Sequence, residues 1–172
     1  MPIGQFLGAS FPKLRQGHII TGPFEQVSNF FPATAVVPFG SLLMYTGGQK
    51  NYDVLGGAAL ASAISAGDAG LFVGVAVSEI AATSAAYPGQ KTQYEVAEPG
   101  NVLIQGAIAV PFTSTAGADA DNAVEGAKVY IDAATALVTD VAAGNLLVPN
   151  LLFTGHVEVS DTVTLVGVRK LY

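Results

Sequence analysis

The 172 residues include no cysteine, which excludes a disulfide framework, cysteine-ligated zinc and a thiol nucleophile. Only 12% of them are charged, about half the roughly 25% of ordinary soluble domains, and 51% are hydrophobic; a surface so short of charge predicts lasting contact with other chains. A net charge of −6 without any basic run excludes a phosphate-backbone reader and electrostatic docking on an anionic membrane, so no nucleic acid and no membrane is expected and the partner is protein.

From the start of the chain, MPIGQFLGASFP has neither a basic stretch nor a long apolar core and is not read as a secretory signal. No apolar run reaches the roughly 18 to 20 residues of a membrane helix, despite a mean hydropathy of +0.48. The first 39 residues hold six of the nine Phe and five of the nine Pro, with Lys13, Arg15 and Glu25 as their only charges. Proline at 2, 12, 23, 32 and 38 interrupts any helix, so residues 1–35 are read as an extended arm ahead of a single body spanning 36–172. Phe6, Phe11, Phe24, Phe30 and Phe31 are its apolar anchors and the candidate residues for contact with other chains. Burying those rings does not offset the entropy of ordering the segment, so the arm needs backbone hydrogen bonds from its own body or from a neighbouring subunit. Both sources stay open at this point.

After the arm the pattern is all-β. SLLMY (41–45), LFVGVAV (71–77), TQYEV (92–96), NVLIQGAIAVPF (101–112), AKVYID (127–132), LLFTGHVEV (151–159) and DTVTLVGVRKLY (161–172) are β-branched or alternating runs separated by Gly, Pro or Asn. GGAALASAISAGDAG (56–70) is short and flanked by Gly, and predicts a loop with one or two helical turns. AATSAAYPGQ and TSTAGADADNAVEG read as loops.

Residue chemistry points away from catalysis. His18 and His156 lack the i, i+4 spacing of a helical zinc site, and no nucleophile elbow, Walker loop or dinucleotide fingerprint occurs. Asp119, Asp121, Asn122 and Glu125 offer oxygen ligands, but not at EF-hand spacing; a solvated loop is the expected state, with weak calcium binding as the alternative. Asp132, Asp140, Glu95 and Glu98 could converge in the fold as paired carboxylates, which spacing alone does not show, and no cofactor or metal is expected. KVYID and ALVTD read more simply as two arms of a hairpin joined at AAT, with Asp132 and Asp140 as surface or turn residues.

The order of the pieces, VPFGSLLMY, GLFVGVAVSE, YPGQKTQYEVAEPGNVLIQGAIAVPF, EGAKVYIDAATALVTD and VTLVGVRKLY, resembles the structural cement (capsid decoration) proteins of tailed bacteriophages over residues 36–172. The motif positions are Gly74-Val75-Ala76, then Tyr87 with Gly89 and Gln90, then 106–110, and then 126–130. The resemblance implies a compact β-barrel or jelly-roll-like body on the outer surface of an icosahedral shell, made in the bacterial host cytoplasm. It also implies a non-enzymatic protein that binds the major capsid protein as a homodimer or homotrimer. From the loops alone, the alternative is a β-sandwich ligand-binding or adhesin module for a glycan or host surface.

Overall fold

The computed structural model describes residues 16–20, 25–66, 72–78, 92–113, 115, 117–159 and 163–171. The elements in chain order are β1 (Ile19–Ile20), β2 (Gln26–Pro32), β3 (Val37–Pro38), β4 (Leu42–Gly47), β5 (Asn51–Val54), helix α1 (Gly57–Ala66) and β6 (Phe72–Ala76). They continue with β7 (Gln93–Tyr94), β8 (Gly100–Phe112), a 3-10 turn (Ala120–Asn122), β9 (Lys128–Ile131), β10 (Val138–Thr139), β11 (Leu146–Val159) and β12 (Thr164–Lys170). Among the described residues the fold is all-β apart from α1 and the 3-10 turn.

The mostly apolar stretch GNVLIQGAIAVPF forms the 13-residue β8, and the sheet is arranged along it. Its first half pairs antiparallel with β2 and with β6, and its second half pairs antiparallel with β12 and β1. The pairings close on themselves. From β8 the ladder runs through β2, β5, β4 and β6 back to β8, and through β12, β11, β9 and β10 back to β8, the last step a parallel contact of Val138 with Phe112. Two hydrogen-bonded rings thus share one strand, while β3 and β7 form a separate two-stranded pair.

Burial explains why several strands read as unbroken apolar runs instead of alternating ones. On β4, β6 and β8, Leu42, Val75 and Leu103 belong to the larger core. Their neighbours Leu43, Ala76 and Val102 belong to a second core with Phe30, Val37, Phe39 and Tyr94. Strands covered on both faces need apolar residues at every position. Helix α1 is ten residues, nearly three turns and longer than the one or two expected; its Ala-rich sequence favours helix, and Leu60 anchors it in the larger core.

The residues assigned to an arm do not all stand apart from the body. Ile19 and Ile20 pair with Ile108 and Ala107, and β2 pairs with β8 from Gln26 to Phe30 and with β5 at Phe31 and Pro32. Over these residues the backbone partners the sequence demanded come from the chain's own β8 and β5. Residues 1–15 and 21–24, including Phe6, Phe11 and Phe24, lie outside the described residues, as does the Tyr87 loop.

Two motif glycines have geometric reasons. A Cβ on Gly74 would sit 2.1 Å from the Leu103 carbonyl oxygen, so β6 lies this close to β8 only without a side chain there. Gly106 adopts φ 127° where β8 passes from one ring to the other, next to the register shift between Gln26 and Val27. Gly74→Ala is expected to lower stability by about 3 kcal/mol or more, measured by chemical denaturation; an unchanged midpoint would refute the close approach.

Candidate interaction surface

The carboxylates that could have formed a site are used to hold turns. Asp132 is 4% exposed, and its Oδ1 accepts from the Thr135 hydroxyl (2.8 Å) and the N–H groups of Thr135 (2.8 Å) and Ala134 (3.1 Å). It closes the β9–β10 hairpin, in which Val138 pairs with Ile131 and Thr139 with Tyr130. The hairpin expectation holds, and of the two places expected for Asp132, surface or turn, it takes the turn, where it is buried. Asp140 accepts the Asp119 N–H (3.1 Å) and the Asn122 side-chain amide (2.9 Å), pinning the 3-10 turn. Asp119 in turn accepts the Asp121 N–H (3.0 Å). Of the oxygens offered for calcium, Asp119 Oδ1 already accepts within the loop and Glu125 Oε1 lies 4.0 Å from Arg169, and no group of three or more His, Cys, Asp or Glu able to hold a metal occurs among the described residues.

Glu95 and Glu98 stand in the turn after β7, where Glu98 accepts the Glu95 N–H (2.8 Å) and Glu95 accepts from the Gln93 amide (3.0 Å). His18 gives its carbonyl to Ala109 N–H (3.0 Å) in the sheet, while exposed His156 lies 3.2 Å from the Thr154 hydroxyl. None of these pairs a base with a nucleophile.

Asp53, which the sequence reading passed over, performs the same kind of task. Its Oδ1 accepts from Ala33 N–H (2.9 Å) and Thr34 N–H (3.0 Å), and its Oδ2 from the Thr34 hydroxyl (2.8 Å), tying the end of β2 to β5. Burial works to raise the pKa of Asp53 and of Asp132. The hydrogen bonds from Thr34 and Ala33, and from Thr135 and Ala134, outweigh it and hold both below the usual carboxylate value of 3.8. Lys170, 7% exposed, is shifted down by burial; its Nζ lies 5.3 Å from the centroid of the Phe72 ring.

The two described Phe of the candidate contact set divide between the faces of β2. Phe30 is 0% exposed and lies between Tyr52 (centroids 5.9 Å apart, stacked) and Tyr94 (5.5 Å, edge-on), with Phe39 beyond Tyr94 (5.1 Å). Phe30, expected at a capsid or oligomer contact, is instead a core residue that fastens β2 to the body. Phe31, 40% exposed, points outward with Val27 and Asn29 in the alternation of QVSNFFP. Exposed Ile104 lies by the register shift at the start of β2, and exposed Val96 adjoins Ala97, whose N–H bonds the Pro32 carbonyl (3.0 Å) at its end. Val27, Val96 and Ile104 were not singled out in the sequence; the period-two pattern of β2 would have found Val27.

An outward apolar stripe on a poorly charged β body is suited to protein contact, and it carries no chemistry. The family model for the structural cement protein (E217 gp24/Pam3 gp6) matches residues 4–169. The chain belongs to this phage cement family. It is a capsid-stabilising structural protein, and its place is in the virion capsid. The fold is similar to that of a chain in a solved structure described as the capsid of Myoviridae phage XM1. That likeness has TM-score 0.61 and 18% identity, and it covers 98% of this chain and 97% of the other. No curated protein sequence matches.

Two measurements check the geometry. Phe30→Ala is expected to cost about 3–5 kcal/mol and Phe31→Ala under about 1 kcal/mol, compared by denaturant melts of the two variants; equal losses would contradict the opposite faces. Because the folded pKa of Asp53 is depressed, its stabilisation is fully present above the unfolded carboxylate value and is lost as pH falls below 3.8. Asp53→Asn should therefore lower stability at neutral pH by about 1–3 kcal/mol, with the gap to wild type narrowing in melts taken at progressively lower pH. A gap that does not change with pH would show that Asp53 does not titrate with folding.

Proposed function

We propose that this cement protein acts on the outer surface of an icosahedral phage head, as a homodimer or homotrimer, bracing neighbouring major capsid subunits without catalysing a reaction. The observation that carries the reading is the family match across residues 4–169. The charge content of 12% and the exposed Val27–Phe31 face of β2 support it, because both suit lasting protein contact. Phe31 is the contact residue proposed from the described part of the expected arm, and Phe6 and Phe11 are proposed to add to it from the first fifteen residues. Several weak patches per oligomer act together, since linkage raises the effective concentration of each.

Co-sedimentation of the purified protein with expanded heads lacking it is expected to show saturable binding at a fixed ratio to major capsid subunits. A Val27→Glu, Phe31→Glu variant, which leaves the core untouched, should bind roughly tenfold or more weakly while melting close to wild type. Undiminished binding by this variant would remove the β2 face from the interface. A failure of the wild-type protein to bind any such head would overturn the shell reading and leave glycan or host-surface binding to be tested.

A further inference from the structure

Two buried aspartates accept the same set of donors in different places. Asp132 takes the N–H groups of Ala134 and Thr135 and the Thr135 hydroxyl, and Asp53 takes the N–H groups of Ala33 and Thr34 and the Thr34 hydroxyl. The donors of Asp132 follow it by two and three residues, so that carboxylate closes a local turn. Those of Asp53 precede it by twenty and nineteen residues, so it joins two strands that the chain itself keeps apart.

What Asp53 holds is the end of the outward stripe. The antiparallel ladder of β2 with β8 runs from Gln26 to Phe30 and stops one residue short of Phe31. Past that point the Phe31 N–H bonds the Lys50 carbonyl (2.9 Å), Pro32 has no N–H to give, and the Ala33 N–H reaches the Tyr52 carbonyl only at 3.3 Å. The three bonds to the Asp53 carboxylate, 2.8 to 3.0 Å long, come next and are charge-assisted. Asp53 is itself fixed, opposite Met44 in the ladder of β5 with β4. Between Phe31 and the clamped Ala33, the Pro32 carbonyl accepts the N–H of Ala97, the residue after exposed Val96. Phe31 and Val96, distant in the chain, thus share one anchor.

We propose that Asp53 is a positioning residue for the interaction face: by clamping Ala33 and Thr34 it fixes Phe31 and Val96 in the arrangement that a capsid subunit meets. At 9% exposed it offers a partner almost nothing directly, so it acts through the residues it holds. The inference rests on the reading that the β2 face is the shell contact, and it adds to that reading what sets the face's shape. A patch already in place loses little conformational entropy when it docks, whereas a strand end released from its clamp must be ordered at each contact. Asp132 supplies the internal comparison, because it loses the same three bonds on truncation but holds the β9–β10 hairpin and none of the named face residues.

The experiment is head co-sedimentation, well below the melting temperature of every variant, on wild type, Asp53→Ala, Asp132→Ala, Phe31→Ala and the double variant Asp53→Ala, Phe31→Ala. Asp53→Ala should weaken binding roughly tenfold, while Asp132→Ala stays within about twofold of wild type. Because the clamp acts through Phe31, adding Asp53→Ala to Phe31→Ala should weaken binding much less than Asp53→Ala does alone. If either aspartate variant fails to fold, Thr34→Val and Thr135→Val, which remove the hydroxyl bonds only, replace the pair in the same comparison, with roughly threefold expected for Thr34→Val. Wild-type affinity in Asp53→Ala, equal losses for the two aspartates, or full additivity with Phe31→Ala overturns the proposal and reduces Asp53 to a stabiliser of the fold. A weakened Phe31→Ala beside an unaffected Asp53→Ala would remove the clamp and leave the shell contact standing. An unaffected Phe31→Ala, or heads that do not bind wild type, would remove the contact itself and this inference with it.

Discussion

The fold depends on one strand being shared by two closed ladders. β8 hydrogen-bonds to β2 and β6 over its first half and to β12, β1 and β10 over its second, so neither ring can close unless β8 is in place. Sharing imposes two local conditions. The strand must turn between rings, which Gly106 permits at φ 127°, and one flanking strand must approach without a side chain, which Gly74 allows. Both glycines lie in segments whose order resembles the cement family. That resemblance is therefore carried by backbone requirements of the shared strand, not by any chemically active residue.

Two-sided burial also sets what was readable in the sequence. VGVAV and NVLIQGAIAVPF are apolar at nearly every position because Val75 and Leu103 face one core while Ala76 and Val102 face the other. Such runs announce strands but hide which face is which. β5 went unread for the opposite reason. Asn51–Val54 is short and polar, and it becomes a strand through pairing on both sides and through Asp53, whose carboxylate meets donors twenty residues earlier in the chain. Neither is a local property. β2 was taken for part of an arm because Pro23 and Pro32 bracket it, yet proline is tolerated at strand ends and edges, and the alternation inside QVSNFFP was sufficient to show a half-buried strand.

The candidate surface was legible only in part, and the reason lies in the same strand. Phe30 and Phe31 are adjacent and chemically identical, but a period of two sends the first into an aromatic stack with Tyr52 and Tyr94 and the second toward solvent. Composition could rank both as anchors, while only register separates the one that stabilises the fold from the one free to meet another chain. Ile104 owes its exposure to a bulge, and Val96 to a turn docked on Pro32; neither signal is written in local sequence. The acidic residues show the converse. Asp132 and Asp140 stand out by their charge, yet they serve turn geometry through N–H donors a few residues away or across a loop.

A cement protein has to hold to a capsid, and the described structure is consistent with that demand. Asp53, Asp132 and Asp140 accept backbone N–H donors that tie strand ends and turns together, so much of the polar chemistry is spent on shape. Apolar residues beyond the core include the outward Val27 and Phe31 of β2, which every copy presents in the same way. Rigidity and repetition reinforce each other: a patch held by closed ladders loses little conformational entropy on docking, so even a small contact retains most of its binding free energy. In the proposed oligomer, linking several such patches would multiply a modest local affinity into a durable hold on the shell. Charge would work against this, because a strongly charged surface must be desolvated at each repeated contact. The scarcity of charge noted first in the sequence thus follows from the same requirement as the shared strand and the saturated turns, namely a stiff body with many weakly polar faces.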